Sequence, residues 1–129
     1  MIGYAMFGTN DQARASAFYD AVFGAVGVGR LMEFPTGAIA WGVSFGVPML
    51  AVGKPHDGGT ATAGNGTMLA LAMDSRAKVD ALHAAAMAAG GQDEGAPGVR
   101  GEEGPQAFYG AYFRDLDGNK LCAFRVGPA

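Results

Sequence analysis

The sequence has few of the residues that build the commonest catalytic and metal sites. Of its 129 residues, one is cysteine, two are histidine, and only 16% are charged. A single cysteine excludes an internal disulfide and fits a reducing compartment. Divalent transition metals prefer three or four imidazole, thiolate or carboxylate ligands in one place. His56, in a Gly-rich segment, and His83, in an apolar helical pattern, show no metal-ligand spacing to each other. We therefore expect surface or packing roles for both.

Long apolar runs and basic clusters are also missing. No apolar run approaches the roughly 18 residues that a transmembrane helix needs. The N-terminal residues lack the basic region and apolar run of a secretory signal. The net charge is −3 without a basic patch, which argues against nucleic acid and membranes as partners. Half of the residues are hydrophobic, enough for the core of one domain. We expect a cytoplasmic globular protein.

The clearest structural signal is residues 109–124, YGAYFRDLDGNKLCAF. Two aromatic-rich apolar runs, 108–113 and 120–126, flank the turn DLDGN. Gly118 can supply the positive φ of a tight reversal, and the Asp and Asn side chains can bond the backbone of the turn. The pattern predicts a β-hairpin. Alternation places Lys120, Cys122 and Phe124 on one face of its second strand.

The first half of the chain predicts a strand, a helix and three more strands. Residues 2–8 alternate like a strand, and Thr9 or Asn10 can N-cap the helix that follows. Apolar residues then recur at helical spacing until Gly27, a C-cap. Three short strands follow at about 29–34, 38–45 and 48–53, separated by Pro- and Gly-containing turns.

The second half repeats this order after a small, polar, Gly-rich linker. Residues 67–73 predict a strand, and Asp74 or Ser75 can cap a helix that ends at Gly90-Gly91. A weak strand at 93–100 and the hairpin complete the set. A shift of 64 residues aligns Ala13 with Ala77. We predict an α+β fold of two tandem βαβββ modules, about 1–53 and 67–129 with linker 54–66, with curved mixed sheets and helices outside. An ordinary α+β domain with coincidental similarity is the alternative.

Four segments together resemble the glyoxalase/bleomycin-resistance/dioxygenase (vicinal oxygen chelate) superfamily: GTNDQARASAFYDAVFGAVG, DGGTATAGNGT, ALHAAAMAAGG and FYGAYFRDLDGNKL. The resemblance covers nearly the whole chain in the right order. It implies two βαβββ modules whose sheets each curve into half of a cavity, often in a homodimer. It also implies a divalent metal in that cavity, held by His or Glu from the first and last strands of the modules.

The ligand positions that the resemblance implies carry other residues here. Tyr4 and Met68 stand where the first strands would offer His, and Cys122 stands where the last strand would offer Glu. Met49 and Leu50 occupy the late strand of the first module. Because phenol, thioether and a single thiol do not make a divalent metal site, we expect no metal and no cofactor.

Alternation predicts an apolar lining for the cavity, rich in sulfur and aromatic rings, which suits a small hydrophobic or planar ligand. The residues that alternation places there are Tyr4, Met6, Met68, Ala70, Cys122 and Phe124. Trp41 and Tyr109 are added as aromatic wall residues, because aromatic rings often anchor ligands at cavity edges. The same side chains could instead fill a closed core. An acidic group on the ligand could be met by Arg30, Arg100 or Arg114, and the sequence does not distinguish among them.

The leading hypothesis is a metal-free small-molecule binding protein that forms a homodimer, and the sequence assigns no catalytic residues. One alternative is a glyoxalase-like lyase or isomerase, or a dioxygenase-related enzyme, with non-standard or absent metal ligands. A third is a dimeric protein whose cavity is filled and whose role is a protein contact.

Overall fold

The computed structural model describes all 129 residues as two modules with the same order of elements. The first module contains β1 (Tyr4–Gly8), α1 (Gln12–Gly24), β2 (Gly29–Glu33), β3 (Ile39–Gly42) and β4 (Met49–Gly53). The second contains β5 (Met68–Ala72), α2 (Arg76–Ala88), β6 (Gln92–Arg100), β7 (Phe108–Arg114) and β8 (Lys120–Val126). No helix or strand lies between Gly53 and Met68. The prediction of two tandem βαβββ modules is confirmed.

The two sheets have equivalent topologies. Sheet A has the order β1-β4-β3-β2, and sheet B has the order β5-β8-β7-β6. In each sheet the first and last strands of the module pair in parallel, and the other pairs are antiparallel. Tyr4 is opposite Met49 in sheet A, and Met68 is opposite Lys120 in sheet B. Met49 and Lys120 are therefore equivalent positions in the two modules.

Both helices begin at a side-chain cap. Ser75, one of the two predicted candidates, accepts a hydrogen bond from the Lys78 amide and caps α2. For α1 the prediction of Thr9 or Asn10 was wrong, because Asp11 is the N-cap and accepts from the Arg14 amide. No helix in the structure has the length and apolar character needed to cross a membrane.

Each helix covers one face of its own sheet and leaves the other face open. From α1, Phe18, Tyr19, Val22 and Phe23 are buried against sheet A, and Val79, Leu82 and Ala86 of α2 are buried against sheet B. The two helices also contact each other, so that both modules share one hydrophobic core. Full burial of one large apolar side chain contributes roughly 1.5–3 kcal/mol, which makes this shared core the main link between the modules.

A polar clamp joins the modules beside that core, and we use this name for the turn at 115–119 with its partners Thr9, Asn10 and Tyr19. The Tyr19 hydroxyl donates to Asp115 Oδ2 at 2.6 Å, and Thr9 donates to Asp117 at 2.6 Å. Asn119 Nδ2 donates to the Gly8 carbonyl. The predicted hairpin is confirmed, with Gly118 at φ 88°. Its turn also connects residues more than 90 positions apart in the chain.

The open faces of the two sheets do not enclose a common space within one chain. The modules meet through the helices and the clamp, and no Cα atom of a strand in sheet A lies within 8 Å of a strand in sheet B. Large apolar side chains on these faces remain exposed: Tyr4 at 52%, Met6 at 49% and Met68 at 43%. The expectation that the two sheets each form half of one cavity is therefore not met by a single copy of the chain.

Candidate functional site

The open face of sheet A is apolar and contains closely spaced methionine and aromatic side chains. Tyr4 and Met6 of β1 share it with Met49, and the Tyr4 ring lies 5.5 Å from the Phe34 ring. Glycine makes room for this layer: a Cβ at Gly42 would lie 2.8 Å from Met49 Cγ. The strands β1, β3 and β4 contain no charged residue. These three strands can offer shape and apolar contact, but no ionic group.

The open face of sheet B combines apolar and polar groups. Register places Met68, Ala70, Cys122 and Phe124 on this face, together with Tyr112, which is opposite Cys122. A Cβ at Gly110 would lie 2.7 Å from the Phe108 ring, so that ring covers the glycine. Phe108 stacks on Phe124 with ring centroids 5.3 Å apart and an interplanar angle of 8°. The result is an aromatic wall next to a thiol and a phenol.

Six of the eight predicted lining residues lie on the open faces: Tyr4, Met6, Met68, Ala70, Cys122 and Phe124. Trp41 and Tyr109 lie on the opposite, helix-covered faces, which corrects that part of the prediction. Trp41 is opposite Leu50 in the sheet and is 2% exposed, and its indole N–H donates to Asp20. Tyr109 donates to Asp80 and lies under the Arg76 guanidinium. The sequence prediction chose both because they are aromatic, without a strand register to show which face they occupy.

The positions of the family metal ligands do not fit a divalent cation. Tyr4, Met49, Met68 and Cys122 reach the open faces, but no group of three or more His, Cys, Asp or Glu side chains is arranged to hold a metal ion. Phenol and thioether groups are poor ligands for Zn, Ni, Fe or Mn. Of the histidines, His56 is exposed in the linker, and His83 packs in α2 with its Nε2 3.0 Å from Asp93.

Cys122 has the environment of an unreactive thiol. It is buried, and burial raises the pKa of the thiol, opposed in part by a hydrogen bond with Tyr112 and by the charges of Arg100 and Lys120. Burial also raises the pKa of the Tyr112 hydroxyl. Since the thiolate is the nucleophilic form, a raised pKa disfavours nucleophilic chemistry at neutral pH.

The structure distinguishes among the three arginines that the sequence left open. Arg30 pairs with Asp20 on the helix side, and Arg114 pairs with Glu94. Arg100 has no carboxylate partner and lies with its Cζ 5.5 Å from the centroid of the Tyr112 ring. Lys120 also has no carboxylate partner, and its Nζ lies 5.7 Å from the same centroid.

Sequence reasoning missed Tyr112 and Phe108 as residues of this face, and it placed Lys120 on the face without naming it as a site residue. Alternation from Cys122 across the hairpin was a sufficient signal, because the turn at 115–119 fixes the register that places Tyr112 opposite Cys122. Lys120 shares the face with Cys122 for the same reason, being two residues earlier on β8.

A second apolar space lies on the helix side, between sheet A and the free edge of β5. This groove has a volume of about 500 Å³, and Phe23, Trp41 and Leu50 of the first module face residues 69–73 across it. The one polar atom of its large side chains, the indole nitrogen of Trp41, is already bonded to Asp20. Without a free polar group the groove has little means of selecting a ligand. We therefore assign the candidate site to the open faces.

The comparisons with known proteins agree with this architecture. Residues 1–123 match the model of the Glyoxalase/Bleomycin resistance protein/Dioxygenase superfamily. A glyoxalase/bleomycin resistance protein from Albidiferax ferrireducens T118 is 36% identical, with 97% of this chain and 98% of that chain covered and a TM-score of 0.85. No match was found among curated protein sequences.

More distant solved structures show the fold alone. A glyoxalase/bleomycin resistance protein/dioxygenase family enzyme from Burkholderia phytofirmans PsJN is 24% identical, with 96% of this chain and 97% of that chain covered and a TM-score of 0.70. A lactoylglutathione lyase from Agrobacterium tumefaciens is 20% identical, with 97% and 92% covered and a TM-score of 0.63. From the family match and the 36% identical structure, the chain belongs to the glyoxalase/bleomycin-resistance/dioxygenase superfamily.

Proposed function

We propose that this chain binds an apolar or aromatic small molecule on the open faces of its sheets without using a metal. The observation that carries the proposal is the composition of those faces. Tyr4, Met6 and Met68 are about half exposed at the positions where the family resemblance implies a ligand cavity. Exposed contiguous apolar surface is uncommon on soluble domains unless it binds something. Methionine and aromatic side chains adapt well to apolar ligands.

We further propose that two copies of the chain complete the binding site. Within one copy each open face lacks a cover, and the exposed apolar residues are distributed over both sheets. If sheet A of one copy packed against sheet B of the other, the exposed apolar residues of both sheets would be covered. Such an isologous arrangement repeats the same contact twice and closes as a dimer. Sedimentation at a series of concentrations tests this, and a monomer at all concentrations would contradict it.

Ligand binding can be tested with the neutral fluorescent probe N-phenyl-1-naphthylamine, which is apolar and planar. We expect saturable fluorescence enhancement and a raised melting temperature, since a probe at about 100 times its dissociation constant adds roughly 2.7 kcal/mol of stability. Met68→Trp fills the open face of sheet B and should abolish binding. Val43→Trp is the matched control, because Val43 lines the helix-side groove and is exposed.

The two variants separate the candidate spaces. Loss of binding in Met68→Trp alone supports the open faces, whereas loss in Val43→Trp alone assigns the probe to the groove and refutes the proposal. Both variants must retain the unfolding midpoint of the wild type for this comparison. Metal analysis of the purified protein is the second test. Stoichiometric Ni, Zn, Fe or Mn would contradict the metal-free site and favour a glyoxalase-like lyase or isomerase.

A further inference from the structure

Two cationic side chains on the open face of sheet B have no acidic partner. Lys120 and Arg100 make no ion pair, whereas Arg30, Arg76, Lys78 and Arg114 are each paired with a carboxylate. Three other cations are unpaired as well, but they lie on α1, in the linker and on the helix side of β8: Arg14, Lys54 and Arg125. The chain as a whole carries a net charge of −3, so acidic side chains are available elsewhere. Of the three cations on this face, Arg100 and Lys120 are therefore the two that remain free for a ligand, since Arg114 is paired with Glu94.

Arg100 is held in place by the backbone rather than by a counterion. Its two Nη atoms donate to the carbonyls of Gly98 at 2.9 Å and Ala96 at 2.8 Å. A guanidinium has five N–H donors, so three are left for another acceptor. The absence of side chains at Gly95 and Gly98 permits this position, because a Cβ at Gly95 would lie 3.1 Å from Arg100 Nη2. The bulged strand β6 thus fixes the orientation of the guanidinium.

Both cations lie close to the ring of Tyr112. The distances from its ring centroid to Arg100 Cζ and Lys120 Nζ put the two charged groups at most about 11 Å apart. Glu94, an acidic residue of the neighbouring strand β6, is already bonded to Arg114. The strands β1, β3 and β4, which supply most of the apolar face of sheet A, carry no charge that could neutralise them.

We propose that Arg100 and Lys120 bind an acidic group of the ligand, a carboxylate, phosphate or sulfonate, so that the natural ligand is an apolar or aromatic anion. This inference rests on the proposed function and specifies its ligand class. The guanidinium presents paired donors to a planar or tetrahedral anion, and the ammonium adds a point charge. The aromatic wall of Phe108 and Phe124 on the same face contacts the apolar part of the ligand.

The test compares two probes that share one aromatic framework. 1-Anilinonaphthalene-8-sulfonate carries a sulfonate, and N-phenyl-1-naphthylamine lacks it. We expect the wild type to bind the sulfonate at least about 10-fold more tightly, because hydrogen bonds between charged groups are stronger than those between neutral ones. Arg100→Gln and Lys120→Gln should each weaken sulfonate binding about 10-fold and change binding of the neutral probe less than about 3-fold.

Two controls separate charge recognition from general effects. Arg30→Gln removes a cation of the helix side that is paired with Asp20, and it should leave both affinities unchanged. Lys120→Arg keeps the charge and should retain sulfonate binding. Higher salt should weaken binding of the sulfonate but not of the neutral probe.

Each outcome decides a different claim. If the neutral probe binds at the open face but the sulfonate has no advantage, the anion inference fails and the proposed function stands. Equal weakening of sulfonate binding by Arg30→Gln and Arg100→Gln also overturns the inference, since the attraction is then not local. If neither probe binds, both the proposed function and the inference are wrong.

Discussion

Replacing Tyr19 by Phe tests whether the polar clamp holds the two modules together. The Tyr19 side chain is fully buried, and its ring contacts the rings of Phe18, Phe23 and Trp41 at centroid distances between 5.1 and 5.5 Å. Phenylalanine keeps these ring contacts and removes only the hydroxyl. The change therefore isolates the 2.6 Å hydrogen bond that Tyr19 donates to Asp115 of the other module.

The expected loss of stability in Tyr19→Phe depends on the hydrogen bonds that Asp115 keeps. Its carboxylate also accepts hydrogen bonds from the amides of Asp117 and Asn119 and from Asn119 Nδ2, so it is not left unpaired. The loss should then be that of one hydrogen bond to a charged acceptor, about 2 kcal/mol within the range of roughly 1.5–3 kcal/mol. Total stabilities of single domains are about 5–15 kcal/mol, so this is a large fraction.

Urea unfolding followed by tryptophan fluorescence provides the measurement, since Trp41 lies next to Tyr19. With a slope of about 1–3 kcal/mol per molar urea, the midpoint should fall by roughly 1 M with the slope unchanged. Tyr109→Phe is the matched control. It removes a hydroxyl that donates to Asp80 over the same 2.6 Å distance but at the surface, and it should change stability by less than about 0.5 kcal/mol. Equal effects of the two substitutions would refute the clamp.

Two further predictions concern the same contact region. Burial, and then the charge of Asp115, raise the pKa of Tyr19 well above its ordinary value. Since the unfolded phenol ionises near pH ~10 and the folded one higher, stability is intact below pH ~10 and falls above it by up to about 1.4 kcal/mol per pH unit for this residue. Urea midpoints measured between neutral and alkaline pH should decline less steeply in Tyr19→Phe, and identical pH profiles would contradict the assignment. Gly91→Ala should destabilise by about 1–3 kcal/mol, because the added Cβ would lie 2.9 Å from the carbonyl oxygens of Ala86 and Arg114. Gly24→Ala, where no atom lies within 4 Å, should be neutral or stabilising in the same assay, and a comparable loss in both variants would rule out the steric explanation.

Local patterns predicted the elements because their causes are local. Helical spacing of apolar residues placed both helices, and the DLDGN turn placed the hairpin, since these signals depend on neighbours within a few positions. Alternation alone predicted which residues of β5 and β8 lie on the open face. Six of eight lining residues lie on the open faces for that reason.

The wrong predictions concern positions whose contacts are made by residues far away in the sequence. Thr9 and Asn10 are good N-caps by type, but Thr9 Oγ1 and the Asn10 amide both donate to the Asp117 carboxylate from the other end of the chain. Asp11 is left to cap the helix. Likewise Trp41 is held on the helix side by Asp20 and by the aromatic rings of α1. No local pattern contains these contacts.

The repeat itself has an asymmetry that affects how the modules are joined. Because Met49 and Lys120 are equivalent, the turn at 44–48 in the first module corresponds to the clamp turn at 115–119. Ser44 stands at the position of Asp115, and Phe45 is 70% exposed instead of packing between modules. His83, which the 64-residue shift aligns with Tyr19, bonds to Asp93 of its own module.

The two copies therefore share a fold but not their contacts. Elements repeat because hydrophobic periodicity is the same in both halves, whereas polar contacts need specific partners, and only the second turn has them. On the side of the first turn, Val43 and Pro48 border the apolar groove, and no hydrogen bond joins the modules there. Substitutions at Ser44 should thus leave stability within about 0.5 kcal/mol of the wild type, while those at Tyr19 should not. A large loss at Ser44 would show that the first turn joins the modules in a way that its contacts do not indicate.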